Sequence, residues 1–196
     1  ALAIRYAADH GAKIINCSFG KSFSPQRKWV EDAISYAEGK GALIVHAAGN
    51  ESGDLDVLKN TNYPDDQPNF NTEFASNFLS VGALAPYLNQ GLIADFSNYG
   101  KEKVDVFAPG EDIYSSMPND VFAFQGGTSM AAPVVSGVAA WIAAYFPKHQ
   151  GSDLKKILMD SSVRLPINVL TPDNEEIDSF ARFSKSGGIV NLYNAL

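Results

Sequence analysis

Cysteine is nearly absent from this chain of 196 residues: Cys17 stands alone, so no intrachain disulfide can brace the fold. It sits in the apolar run 13–20, KIINCSFG, where a small buried residue is a better reading than a reactive thiol, because no adjacent His or cation would favour the thiolate. Basic residues are also scarce. Lys and Arg number 15 against 22 Asp and Glu, they form no cluster, and the formal charge is −7. A nucleic-acid surface or a polybasic membrane contact is therefore not expected. No apolar run reads as long enough to span a membrane, and no charged segment followed by an apolar one opens the chain. Internal repeats and low-complexity segments are missing too. The chain starts without Met in LAIRYAADHG, which has the pattern of a helix already under way, so the expectation is a segment cut from a longer protein.

What is present suffices for one core. Hydrophobic residues make up 45% of the chain and no shift in composition marks a second domain, so residues 1–196 read as one unit. Residues 2–9 carry apolar positions at helical spacing, and Gly11 follows as a helix stop. Residues 12–20 read as a buried strand. Trp29, Val30, Ala33, Ile34 and Ala37 recur at helical spacing within 25–40, Gly41 follows, and ALIVHAAG (42–49) reads as a second strand. Helix, strand, helix, strand with short Gly connections predicts an α/β fold with a parallel sheet. Residues 50–75 read as a long polar loop, 78–84 and 103–110 as further strands, and 128–146 as the longest apolar helix. Ser152 and Asp153 suit the start of another helix. Residues 166–188 read as a polar excursion before a short terminal element.

The segment FQGGTSMAAP, residues 124–133, sets Thr128 and Ser129 behind two glycines and ahead of a run of small residues. A serine acting as a nucleophile needs an approachable backbone and donors for the developing oxyanion. Gly126 and Gly127 permit the approach, and a helix starting near Thr128 would place free N–H groups and the positive end of its dipole at Ser129. Pro133 falls near the end of the first turn, where a missing N–H costs little. The plain alternative is that Thr128 or Ser129 merely caps the helix. The nucleophile elbow G-x-S-x-G is not met, because Ala131 occupies the second Gly position.

Three segments taken together resemble one family. GTSMAAPVVSGVAA (127–140) resembles the serine motif of the subtilisin-like serine proteases, VHAAGN (45–50) their oxyanion-asparagine segment, and INCSFG (15–20) their substrate-binding strand. NYP (62–64), SVGAL (80–84), ADFSNYG (94–100) and VDVFAPGEDIYSS (104–116) extend the likeness over most of residues 1–146. The resemblance implies a three-layer α/β sandwich with a mostly parallel sheet between helices. It further implies that 1–196 is the C-terminal portion of a single catalytic domain whose N-terminal part is missing.

It also implies a serine endopeptidase acting on polypeptides through an acyl-enzyme on Ser129. Asn50 would donate its side-chain amide to the oxyanion beside the N–H of Ser129. Ser18, Phe19 and Gly20 would form the edge on which substrate lies as an added strand. Ala47, Ala48 and Gly49 would wall the pocket opposite, with Asn62 near its floor and Thr128 beside the nucleophile. Such a pocket, free of evident charge, should favour apolar or neutral side chains.

The family orders its triad Asp, His, Ser, with both partners before the substrate-binding strand, and its Asp-Thr/Ser-Gly and His-Gly-Thr-His motifs have no match here. The general base is therefore expected outside these residues. His10 reads as a helix-terminus side chain and His149 as a surface residue. His46 occupies a position that the family usually fills with a small or apolar residue, and reads as a buried, hydrogen-bonded group. No cofactor is required. The resemblance allows structural calcium, although no calcium loop of the type D-x-[DN]-x-[DN]-G occurs. It implies a secreted or cell-envelope location and leaves the oligomeric state open. The rival reading is a catalytically inactive, subtilase-like peptide-binding or scaffold domain.

Overall fold

The computed structural model of the chain describes residues 1–68, 72–173 and 176–196. The part of the expected 50–75 loop at 69–71 and of the 166–188 excursion at 174–175 lies outside these residues. Among the described residues five α-helices, α1 (Leu2–Asp9), α2 (Arg27–Gly39), α3 (Thr128–Tyr145), α4 (Gly151–Asp160) and α5 (Leu192–Ala195), accompany a sheet of four parallel strands. The strands are β1 (Ile14–Cys17), β2 (Leu43–Ala47), β3 (Phe78–Leu84) and β4 (Val106–Pro109), in that spatial order. β3 matches the run 78–84 from which it was read, whereas β1, β2 and β4 are shorter than theirs, 12–20, 42–49 and 103–110. The runs continue past the last paired residue into the loops at the carboxyl end of the sheet.

Alternation along β2 explains the layers. Leu43, Val45 and Ala47 face the cluster formed with α3 and α4, whereas Ala42 and Ile44 face the cluster formed with α1 and α2. A strand covered on both faces has no solvent side, hence the continuous apolar reading of 42–49. The α3 helix packs against all four strands, and its small residues Ala131, Ala132 and Ala139 let it approach closely. Its 18 residues are long and apolar enough, by length and composition, to cross a bilayer, contrary to the expectation from sequence. In this fold the buried face of that helix is spent on the sheet.

Two small antiparallel pairs complete the fold. One is a hairpin of β5 (Ile113–Met117) and β6 (Val121–Gln125) that leads directly into α3. The other, β7 (Asn168–Leu170) with β8 (Ile177–Ser179), lies within the excursion 166–188. The α4 helix starts two residues earlier than expected. Gln150 is its cap, with the Gln150 N–H donating to Asp153 Oδ2 at 2.9 Å, so Asp153 serves as the third residue of a capping box and not as the first of the helix.

An ionic cluster ties the long loop to this frame. Lys155 of α4, almost fully buried, lies 3.2 Å from Glu73, 3.3 Å from Asp105 and 3.8 Å from Asp66. Burial alone would lower the pKa of Lys155, but the three carboxylates outweigh it and hold the ammonium charged. Asp66 is different. Burial pushes its carboxyl up to about 8, because the ammonium at 3.8 Å is too distant to offset desolvation and the Oδ2 atom has no hydrogen-bond partner.

Candidate active site

The site forms where β1, β2 and the N-terminus of α3 meet. The first N–H of an α-helix lacks an intrahelical acceptor, and Gly127, in the cap position, has no side chain to supply one. Asn50, three residues beyond the end of β2, supplies it. Its Oδ1 accepts from Thr128 N–H at 2.8 Å and from Thr128 Oγ1–H at 2.9 Å. Thr128 is fully buried, and its Oγ1 in turn accepts from Gly49 N–H at 3.0 Å. Because both partners of Oδ1 are donors, the orientation of the amide is fixed and Nδ2 points away from Thr128. It lies 3.3 Å from the position a Cβ on Gly127 would take, a point 3.7 Å from Ser129 N.

Other donors of the first turn are committed. Met130 and Ala131 N–H both go to Gly127 O. Ser129 N–H has no acceptor among the described residues, so it and Asn50 Nδ2 form a pair of free donors at the positive end of an 18-residue helix.

Ser129 is locked to the chain leaving β1. Pro133 has no N–H, so Ser129 O, four residues earlier, lacks its usual helical donor. Ser18 Oγ–H fills the vacancy at 2.8 Å, and Ser129 Oγ–H donates back to Ser18 O at 3.2 Å. The proline expected merely to be tolerated near the helix start thus releases a carbonyl that fixes Ser129 against Ser18.

The opposite wall is built from backbone. The side chains of Ala47 and Ala48 are buried in two core clusters, so only their main chain borders the pocket. Asn62 donates from Nδ2 to Ala47 O at 2.8 Å and is 92% buried by its 8% exposure. A Cβ on Gly20 would lie 2.1 Å from Asn62 Oδ1, which makes glycine obligatory there. Asn62 therefore touches both Ala47 and the Gly20 position.

Sequence reasoning missed Asn98. Its Oδ1 accepts from Glu51 N–H at 3.1 Å and Gly53 N–H at 2.9 Å, while Nδ2 donates to Ala48 O at 2.9 Å and Glu51 Oε2 at 2.6 Å. The loop carrying Asn50 is wrapped around this side chain. Gly49, at φ +101°, makes room for it: a Cβ there would lie 2.4 Å from Asn98 Nδ2. An Asn ahead of Tyr-Gly reads as an ordinary turn residue, and nothing local distinguishes it.

None of the three histidines pairs with Ser129. His10 Nδ1 lies 2.8 Å from Tyr6 O, His149 Nδ1 lies 3.8 Å from Asp153, and His46 Nε2 lies 3.0 Å from Phe19 O. Burial pulls the His46 pKa down to about 4, and the same cause pushes the Cys17 thiol up to about 11. Among the described residues no group of three or more His, Cys, Asp or Glu side chains could hold a metal ion. Where Asp66, Glu73 and Asp105 converge, they do so on the ammonium of Lys155.

A serine on the first turn of a helix that spans a parallel sheet, with two free N–H donors beside it, has the parts of a serine acyl-transfer enzyme. Comparison with known sequences gives the class its name. The sequence model of the subtilase family matches residues 1–184, and the chain belongs to that family of serine proteases. It is 40% identical over 142 residues to a thermophilic serine proteinase of Bacillus sp. (strain AK1), covering 72% of this chain and 31% of the relative. It is 34% identical over 177 residues to a cell wall-associated protease of Bacillus subtilis (strain 168), covering 90% of this chain and 18% of the relative. The solved structure of the prenylagaramide maturation protease PagA superposes with a TM-score of 0.75 at 28% identity, over 99% of this chain and 64% of that one. The chain thus spans less than half the length of these two curated relatives.

Proposed function

We propose that residues 1–196 are the nucleophile-bearing part of a serine endopeptidase, in which Ser129 attacks the scissile carbonyl of a polypeptide and a His and an Asp outside these residues complete the triad. The observation that carries this reading is the double use of Asn50. One end of its amide caps α3 through Thr128, and that bond aims the other end, with Ser129 N–H, at one point in front of Ser129. On attack, Ser129 Oγ gives up its hydrogen bond to Ser18 O and passes its proton to the external imidazole. The carbonyl oxygen takes up the negative charge between the two donors, and collapse expels the amine with that proton to leave an ester on Ser129. Residues 1–196 alone should therefore hydrolyse peptides poorly. Among the described residues the β1 strand pairs only with β2, which leaves its other edge available to a strand from the completing part.

The pocket is read as favouring a neutral side chain before the scissile bond, since its walls are backbone and small side chains and Asn62 reaches from Ala47 to Gly20. A secreted or cell-envelope location belongs to the same reading and is supported by the cell wall-associated relative. Structural calcium is allowed by the family resemblance alone, and no step of the reaction is routed through it.

The test is fluorophosphonate labelling of the intact protein, with mass spectrometry of the modified peptide and a Ser129→Ala control. Label on Ser129 that the control abolishes is the expected result. A folded intact protein that takes no label would favour the inactive peptide-binding domain instead.

A further inference from the structure

We propose that His46 is a positioning residue for substrate: its imidazole holds the peptide-binding segment 18–20 from behind, so that the front edge of that segment is set to receive a peptide backbone. This inference rests on the reading of 18–20 as a substrate edge.

The geometry is specific. The ladder between β1 and β2 ends at the pair Cys17–His46, so the residues that follow have no strand neighbour on that side. In an extended chain successive carbonyls point to opposite edges. Ser18 O faces Ser129 Oγ at 3.2 Å, and Phe19 O faces His46 Nε2 at 3.0 Å. A carbonyl can only accept, so Nε2 carries the proton, and the side chain extends the sheet by one hydrogen bond beyond its last backbone pair.

Among the described residues Phe19 makes no other hydrogen bond, and the next anchor of the segment is Lys21, paired with Tyr63 through two backbone hydrogen bonds. Phe19 is 60% exposed, whereas His46 is 2% exposed and packs at 5.3 Å from the Phe78 ring. The anchor is thus buried and the anchored residue is at the surface. Neutral imidazole is the form that burial favours, so the donor persists across the working pH range of most proteases. An alanine or other small residue at this place, the usual choice in the family, would leave Phe19 O without this partner.

The test is binding of an N-acetylated tetrapeptide with a small residue at its carboxyl end, measured by isothermal titration with the intact protein, alongside KM and kcat for the matching peptide anilide. His46→Phe keeps bulk and removes the donor. His46→Gln places an amide N–H at the reach of Nε2, and His46→Asn falls one methylene short of it. His46→Phe is expected to raise Kd and KM about tenfold with kcat changed less than threefold, and His46→Gln to restore both constants to within about twofold. If His46→Phe does not fold, the same contrast is read between His46→Gln and His46→Asn. Equal losses in the Gln variant and its comparison variant would show a packing role and overturn the proposal, as would unchanged constants or no binding by the parent protein. A parent that binds peptide but takes no label on Ser129 would sink the endopeptidase reading and leave the role of His46 standing.

Discussion

Asn50 offers a substitution that separates scaffold from chemistry. In Asn50→Asp both oxygens accept, so Thr128 N–H and Oγ1–H keep their partner, and a negative charge at the N-terminus of α3 adds about 0.3–1 kcal/mol of stability. What is lost is the Nδ2 donor, and a negative charge now faces the point where the oxyanion forms. Loss of one such donor costs about 10²–10³ in kcat, and the added repulsion acts in the same direction. Asn50→Ala, by contrast, strands two donors of a fully buried threonine, at about 1–3 kcal/mol for each orphaned group. Steady-state kinetics on a peptide anilide and urea unfolding of the intact protein resolve the two effects. The expected pattern is an Asp variant at least as stable as the parent and at least a hundredfold slower, with KM little changed, and an Ala variant that is both slower and less stable. An Asp variant within tenfold of the parent kcat would show that Nδ2 does not serve the oxyanion. An Asp variant as unstable as the Ala variant would refute the capping argument.

Three further outcomes follow from the same geometry. Asn62→Gly removes the side chain that spans the two pocket walls and should raise kcat/KM for Phe relative to Ala before the scissile bond by roughly 10- to 100-fold, the worth of burying an aromatic ring; an unchanged ratio would show that Asn62 does not limit the pocket. Lys155→Met leaves the buried Asp105 without its cation, while Glu73 keeps Lys185, and should cost about 3–5 kcal/mol, whereas Lys28→Met, in an exposed pair, should leave the urea midpoint unchanged; equal urea midpoints for the two variants would refute the cluster's role. Asp66 keeps its proton up to about pH 8 in the folded chain but releases it near 3.8 when unfolded, so the folded state binds more protons across that window and stability falls as pH rises through it. Asp66→Asn should therefore stabilise by an amount that grows from pH 4 to pH 8, to the order of a few kcal/mol, and a pH-independent difference would contradict the assignment.

Most of the frame was legible in the sequence. Helical spacing located α1 and α2, a long apolar run located α3, Gly11 and Gly41 marked where helices give way to strands, and buried runs located β2 and β3, because period and turn chemistry are local properties. The hairpin was overlooked although its signal was present: Asn119 and Asp120 lie between two short segments and both take positive φ, as a tight hairpin turn demands. The strands β7 and β8, of three residues each, are too short to show a period.

By itself the sequence determined the family, the order of elements and the place of Ser129 at the head of a helix, since each is encoded in residue types over a few positions. Only the tertiary structure decided how those parts act on one another. The cap of α3 comes from Asn50, 78 residues away, and the partner of the carbonyl freed by Pro133 comes from Ser18, 111 residues away. Asn98 holds the loop of Asn50, Asn62 closes the pocket and His46 holds Phe19 for the same reason. A buried polar side chain must find partners, and which partners it finds is fixed by packing across the sheet and not by its neighbours in the chain.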